Sequence, residues 1–511
     1  MKKIFLLVVL FVVGLIAFSL YQRDSEPQIS QITISGPFEF HGLDLSKNGF
    51  TFSRLGVTES LTGIQGDGHV FPRLATEWQQ SEDGLTWQFK IRDNVSFHDG
   101  TPLDGKAVLK TLTYAREKPG VIKQIPIKSM SADGQTFTLN LSRPYVPLLT
   151  VLAHYSLGIV SPAAYDEQGQ ITQLYGTGPY QVNQLIAPHK ANVRRFEGYW
   201  GTQGEIDEIS YLAGHRSESR ALMVESGQAQ IAFSIDPNSR TMFENNPDVS
   251  VQSYNLPRTI LLKVNNTHPF LSEKQARQAI SLALDRKAIA SSILHAPGSE
   301  AYQLFSDAQA DWHINNYQPK QNLDTAASLL YHLGWRKNDK GWLVRDGQLF
   351  SLTLSTYADR PELPVLATTI QDQLSRIGIM INVNIDNSSV IPVKHHDNTL
   401  NLALIARNFG TLGSPLPALF DDFSSPKGSD WGHMNWYSPR IHHLLALLIS
   451  GKEPDQAVDM SQEVARILAD ELPVIPIAYS QQLVGISSRV SGFRFDPYEI
   501  DYHLTELKTD D

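Results

Sequence analysis

Cysteine is absent from these 511 residues. That excludes disulfide staples, thiolate nucleophiles, zinc ribbons, iron–sulfur clusters and lipid attachment through an N-terminal Cys. A surplus of positive charge is missing too: 43 Lys and Arg stand against 53 Asp and Glu, for a net charge of −10. With no basic stripe to follow a phosphate backbone, nucleic acid is not an expected partner. The nucleophile-elbow pattern G-x-S-x-G and the zinc-protease pattern H-E-x-x-H do not occur. After residue 20 there is no long apolar run, because "LLALLIS" is closed off by His442, His443 and Lys452.

What is present begins at the N-terminus. Lys2 and Lys3 precede an uncharged apolar run from Ile4 to Leu20, which "YQRDSEPQ" ends. This is an export signal. Ala17 and Ser19 suit a signal peptidase, yet the run is long enough for a short membrane span. Residues 1–27 are therefore read as a signal peptide or a retained anchor. In both cases the remaining chain is expected in the periplasm or on the outer face of the membrane. Its length exceeds what one hydrophobic core organises, so two or more lobes are expected.

Strands and helices alternate along that remainder. Gln31 to Phe38 begins as a strand, and Thr86 to Ile91 and "QTFTLNLS" alternate polar with apolar residues beside the turn dipeptides Asp83-Gly84, Asp99-Gly100 and Asp133-Gly134. From Asp104, the residues Ala107, Val108, Leu112 and Ala115 fall at helical spacing. Further on, Ser272 is placed to cap "SEKQARQAISLALDRKAIASSIL" and Asp324 to cap "DTAASLLYHLGW", which Gly334 stops. "LPVLATTIQDQLSRIGIMINVNI" runs from a helix closed at Gly378 straight into a strand, and "DMSQEVARILADELPVIPIAY" repeats that order. The fold class is mixed α/β. In "YGTGPY", Gly176 and Gly178 make a corner that opens a strand and not a helix, which points to a structural turn over a phosphate cradle. Tyr199 and Trp200 of "EGYWG" are expected to pack the sheet edge.

Four segments, in order, resemble one family. "LATEWQQSEDGLTWQFKIRDNVSFHDGTPL", "GTGPYQVNQ" with "RRFEGYWG", "KQARQAISLALDRKAI" and "LPVIPIAYSQQLVGISSRVSGF" are similar to segments of the extracytoplasmic solute-binding proteins of family 5, the peptide- and nickel-type receptors of ABC importers. The resemblance spans roughly residues 30 to 505. It implies a two-lobed periplasmic-binding-protein fold of cluster C type with two hinge strands. Lobe I is expected over 28–262 plus 480–511, with an extra subdomain inserted at about 62–165, and lobe II over 263–479. The implied function is capture of a small-molecule or peptide solute between the lobes and delivery to an ABC permease and its ATPase. The protein would act as a monomer, with no catalysis or cofactor of its own, a metal chelate being one kind of cargo.

The peptide-binding branch of the family carries an Asp that pairs with the peptide ammonium. The matching stretch here is "RNFGTLGSPLP", with Phe409 at the aromatic place and Leu412 where the Asp would fall. The nickel and metallophore branch is similar in its tail, "YEIDYHLTELK". Arg407, next to Asn408, is suited to bidentate capture of a carboxylate, an ion pair within the protein being its alternative role. Trp431 and His433 in "DWGHMNWY" are candidates for an aromatic cleft wall, against simple packing. His154 and Tyr155 lie in a segment that reaches the cleft in the family. The pairs His395-His396 and His442-His443 point apart and form no ready chelate. Two other readings stay open: a membrane-tethered sensor of the same fold, and a serine hydrolase using "SSPK" at 424–427.

Overall fold

The computed structural model describes residues 30–509, apart from Asp67, His215, Glu244, Asn245, Asp359, Pro361 and Thr411. The expected export segment, 1–27, lies outside the described residues. Ten strands form one sheet. In chain order they are β1 (Gln31–Gly36), β2 (Tyr180–Ile186), β3 (Lys190–Arg195), β4 (Glu208–Ala213), β5 (Ile231–Phe233), β6 (Val249–Val264), β7 (Ser351–Tyr357), β8 (Met380–Asp386), β9 (Leu402–Asn408) and β10 (Val474–Ser487). Across the sheet the order is β8-β7-β9-β6-β10-β5-β1-β4-β3-β2.

β1 runs parallel to β4 and β5, and β7 runs parallel to β8 and β9. Parallel pairing needs crossover connections. The helices Ser217–Glu225 and Glu362–Ser375 supply them, carrying the chain from β4 to β5 and from β7 to β8. β6 and β10 are different, with 16 and 14 residues each. They pair antiparallel, Val249–Asn255 with Gln481–Ser487 and Thr259–Lys263 with Val474–Tyr479, and the register breaks between the two stretches. β5 meets β10 only along Val484–Ile486, whereas β9 meets β6 only along Arg258–Val264. Each long strand thus begins in one half of the sheet and ends in the other. Pro257 sits in the break, where its missing N–H takes no rung out of a continuous ladder.

A second, antiparallel sheet is built from Ala75–Gln80, Thr86–Ile91, Thr136–Leu141 and Ile127–Asp133. The alternation in "TWQFKI" turns Trp87, Phe89 and Ile91 inward. The helix Gly105–Glu117 lays Ala107, Val108 and Leu112 into the same core, with the Asp104 carboxylate accepting from the Ala107 N–H at 2.9 Å. Gly84 and Gly134 close the two hairpins with φ of +70° and +51°, as the Asp-Gly pairs require. Chain flanking this sheet also touches the far half of the molecule. The Val146 N–H donates to the Ile449 carbonyl (2.9 Å) and Gln124 Nε2 to Asp421 Oδ2 (3.2 Å). The two halves therefore meet along a second line besides the long strands.

Two helix starts differ from expectation. Glu273, not Ser272, takes the cap position of Lys274–Ala283. Asn322, not Asp324, caps Leu323–His332, because its extended backbone lets Oδ1 accept from the Thr325 N–H (2.9 Å). Asp324 lies in the first turn, where a carboxylate faces the positive end of the helix.

The glycine corner is structural, as expected. Neither Gly176 nor Gly178 has a positive φ. A Cβ on Gly176 would lie 1.9 Å from the Val57 carbonyl oxygen, and one on Gly178 2.1 Å from that of Gly56. The requirement is close backbone approach. His98 seals the corner, its Nδ1 accepting from the Gly176 N–H (3.2 Å) and its Nε2 donating to the Gly178 carbonyl (3.0 Å). Tyr199 and Trp200 do more than pack an edge: they donate to the buried Glu59 carboxylate (3.1 and 2.8 Å), which also accepts from the Thr177 hydroxyl (2.9 Å). Gly176→Ala is expected to lower stability by about 3 kcal/mol, read as the urea midpoint. Gly42→Ala, with open space around its Cβ, should change it by less than about 0.5 kcal/mol.

Candidate functional site

Strand ends converge at the break in β6. β1 and β5 lead at their carboxyl ends to Phe38 and Phe233, which line a crevice with Arg54, Gln482, Glu499 and Tyr502. β9 ends where the Phe409 N–H donates to the Pro257 carbonyl (2.8 Å). β7 ends at Tyr357, within the field of Arg258 and Arg360. Open α/β sheets bind their ligands at such carboxyl ends.

Arg54 closes the helix Leu45–Arg54, which Asp44 caps by accepting from the Ser46 N–H (3.0 Å). Its guanidinium is boxed by the rings of Phe38, Phe50 and Tyr502, at 4.8, 5.6 and 5.8 Å from their centroids. Its Nε donates to the Glu499 carbonyl at 2.6 Å. Arg258, the residue after Pro257, donates from Nη2 to Glu499 Oε2 at 3.0 Å. Burial by itself would raise the Glu499 carboxyl, but Arg258 and Arg54 outweigh it and hold the group below its ordinary value. Arg360 stands 4.0 Å from Glu362, both side chains about one-third exposed at 34% and 30%. Arg494, Asp496 and Asp501 line the same crevice, so its guanidiniums are matched by acidic groups. On β10, Gln482 Nε2 donates to Ser234 Oγ (3.0 Å). Ser480, two residues away and so on the same face, keeps a buried hydroxyl with no partner among the described residues.

None of the residues singled out from the sequence lines this crevice: Tyr155 and Trp431 touch rings beside it, and the others turn into the interior. The Tyr155 ring meets Phe50 of the Arg54 box edge-on, centroids 6.2 Å apart. Trp431 meets Tyr357 edge-on at 6.1 Å. His154 is buried with Nδ1 on the Ser156 hydroxyl (2.8 Å). Arg407 does bind a carboxylate bidentately, that of Asp422, through Nε (2.8 Å) and Nη2 (2.9 Å). Asp422 is 1% exposed. Asn408 turns its side chain back to accept from the Gly410 N–H (2.8 Å). Phe409 is buried against Phe305. His433 is fully buried, stacked on Phe423, its Nδ1 accepting from the Trp436 N–H (3.3 Å) and its Nε2 on the Ser425 carbonyl (3.1 Å). Burial pulls His433 from 6.5 to about 3 and His154 likewise to about 3. Lys263 anchors the same loop, its buried Nζ donating to the carbonyls of Ser429 (2.7 Å), Asp430 (3.2 Å) and Gly432 (2.9 Å). Ser424 ends the helix Leu416–Phe423 as its C-cap, the opposite end from that which an S-x-x-K nucleophile occupies.

Sequence reasoning missed Arg54, Arg258, Arg360 and Glu499. A charged residue after Pro257 in the otherwise apolar "LPRTILL" was the one visible signal.

The family model of bacterial extracellular solute-binding proteins, family 5, matches residues 69–430. The chain belongs to that family. It is 25% identical over 458 residues to the nickel-binding protein NikA of Staphylococcus aureus, covering 88% of this chain and 89% of that one. It is 23% identical over 465 residues to the glutathione-binding protein GsiB of Escherichia coli K12, covering 86% of each. NikA of Brucella suis, solved in complex with Fe(III)-EDTA, superposes with a TM-score of 0.86 at 20% identity, over 95% of this chain and 100% of that one. The fold is the two-lobed periplasmic-binding-protein fold expected of family 5. No helix among the described residues is long and apolar enough to cross a membrane.

Two outcomes follow for stability. Arg407→Ala strands the Asp422 carboxylate in the interior and is expected to cost about 3–5 kcal/mol in urea unfolding. The buried histidines set a pH dependence. Unfolded imidazoles protonate near 6.5 and these folded ones only near 3, so stability is full above about pH 6.5 and falls as pH drops from there towards 3. His433→Asn should flatten that fall by up to about 1.4 kcal/mol per pH unit, measured as urea midpoints between pH 6.5 and 4.

Proposed function

We propose that the protein is the extracytoplasmic receptor of an ABC importer, closing over a small solute and handing it to the permease and its ATPase. The observation that carries this reading is the meeting of Arg54, Arg258 and Arg360 where the crossover strands break, in a member of a solute-binding family. Arg54 ends the helix that follows β1 and Arg360 lies between β7 and the helix Glu362–Ser375, with Arg258 on the crossover strand itself. A guest touching both ends stabilises the closed state against the open one, and closure is what a permease reads.

The converging guanidiniums suit an anionic group on the guest, which is either a metal chelate, with the metal as cargo, or a small peptide-like acid. Nickel and glutathione are the solutes named for two relatives. The peptide reading draws support from Glu362, whose part-exposed carboxylate beside Arg360 suits a ligand carrying both an anion and an ammonium. At Leu412, where the peptide branch has its Asp, there is a buried apolar side chain. The receptor works as a monomer on the outer side of the membrane, held there by its permease or by a retained N-terminal segment.

Native mass spectrometry of the protein purified from its own host is expected to show a trapped small molecule. Calorimetry with nickel plus histidine, and with glutathione, tests the two guest classes. Arg360→Ala should weaken binding of the anionic guest by roughly 10- to 100-fold, the loss of one charged hydrogen bond, while leaving urea stability within about 0.5 kcal/mol. No trapped molecule, together with unchanged X-ray scattering on adding either guest, sinks the reading.

A further inference from the structure

Arg54, Arg258 and Arg360 are not shared evenly between Glu499 and Glu362. Glu499 alone engages two of them, Arg258 through its side chain (3.0 Å) and Arg54 through its own carbonyl (2.6 Å), with Arg54 Nη2 also 4.0 Å from Glu499 Oε1. To do so it adopts a left-handed backbone at φ +57°. An L side chain other than Asn or Asp rarely takes that conformation, and the surrounding structure has to hold it there.

The holding groups are on the same tail. The Asp496 carboxyl group accepts the N–H groups of Tyr498 (2.9 Å), Ile500 (2.8 Å) and Asp501 (3.0 Å), so the chain is wrapped around one buried side chain with Glu499 at its tip. Asp501 stands 3.5 Å from Arg73, which in turn lies 3.3 Å from Glu59 and so ties the tail to the buried network of the glycine corner. Tyr502 stacks flat on Phe233 at 4.5 Å. A buried carboxylate set by a strained backbone, three hydrogen bonds and a stacked ring is placed with more care than an incidental ion pair.

Its effect on a guest is electrostatic. Without Glu499 the Arg258 and Arg54 guanidiniums would lose the carboxylate that faces them, and a multiply charged anion would be welcome. With Glu499 in place, a guest anion competes with a fixed carboxylate for the same donors, and like charges at short range in a desolvated site discriminate strongly. We propose that Glu499 is the specificity-determining carboxylate of the cleft, admitting neutral, zwitterionic and singly anionic solutes and rejecting those with two or more negative charges. This rests on the cleft being the solute site.

Two measurements test it, one needing no variant and one needing no natural guest. Co(III)-EDTA and Ni(II)-EDTA are both six-coordinate chelates of nearly the same shape and carry one and two negative charges. The full-length protein is expected to bind the dianion at least about tenfold more weakly. Equal or tighter binding of the dianion overturns the proposal. The second measurement is the thermal midpoint in sodium sulfate against sodium chloride at equal ionic strength. Glu499→Gln, which frees the two guanidiniums, should gain a sulfate-specific rise that the unaltered protein and Glu499→Asp lack. Equal sulfate responses in all three overturn the role of Glu499 whatever the natural solute is. Failure of the unaltered protein to bind either chelate, with the sulfate response present only in Glu499→Gln, counts instead against chelates as cargo and leaves the charge filter standing. Should Glu499→Gln not fold, the chelate pair alone decides.

Discussion

Two long strands hydrogen-bonded to each other, and broken at one proline, carry the rest of this structure. β6 and β10 are the strands that belong to both halves of the sheet, so the halves are joined through a ladder that is firm on either side of residues 256–258 and interrupted there. At an interruption few strand hydrogen bonds oppose a change of backbone angle. The interruption is also where parallel strands from both halves end, so the break and the place where side chains converge coincide. Arg258 is one residue beyond Pro257 and feels both.

Around this break the protein buries several charged groups, each held by partners. Arg407 and Asp422 form a two-bonded pair, Lys263 sits among backbone carbonyls, Glu59 accepts from a threonine, a tyrosine and a tryptophan, and Asp496 accepts three backbone N–H groups. Such networks add little net stability compared with apolar packing, but breaking one partner leaves an uncompensated charge, which makes the arrangement single-valued. They fix the loops at the strand ends that carry the crevice groups. One fold serves relatives named for nickel and for glutathione, so the fold by itself does not choose the guest.

Much of the architecture was legible in the sequence because it rests on local periodicity. "TWQFKI" alternates and is a strand with Trp87, Phe89 and Ile91 inward; the run after Asp104 has helical spacing and is a helix capped by Asp104. The candidate site was much less legible. Arg407 has the chemistry to grip a carboxylate, and grips one, yet which carboxylate depends on a helix fifteen residues further along the chain folding back to present Asp422. His433 and Phe409 look like cleft residues in a one-dimensional reading and lie in the interior, since an aromatic cluster beside a turn can face either way.

By itself the sequence determined the class of the fold, its alternating order of strands and helices, the export signal as an expectation and, through four ordered segments, the family. Those properties depend on residues near one another in the chain. Only the tertiary structure decided which charges meet. Arg54, Arg258 and Glu499 are separated by 204 and 241 positions, and no spacing rule links residues so far apart. They are brought together by the closing of one sheet around two crossover strands and by a C-terminal tail that crosses back over the hinge, which is a property of topology and not of any segment.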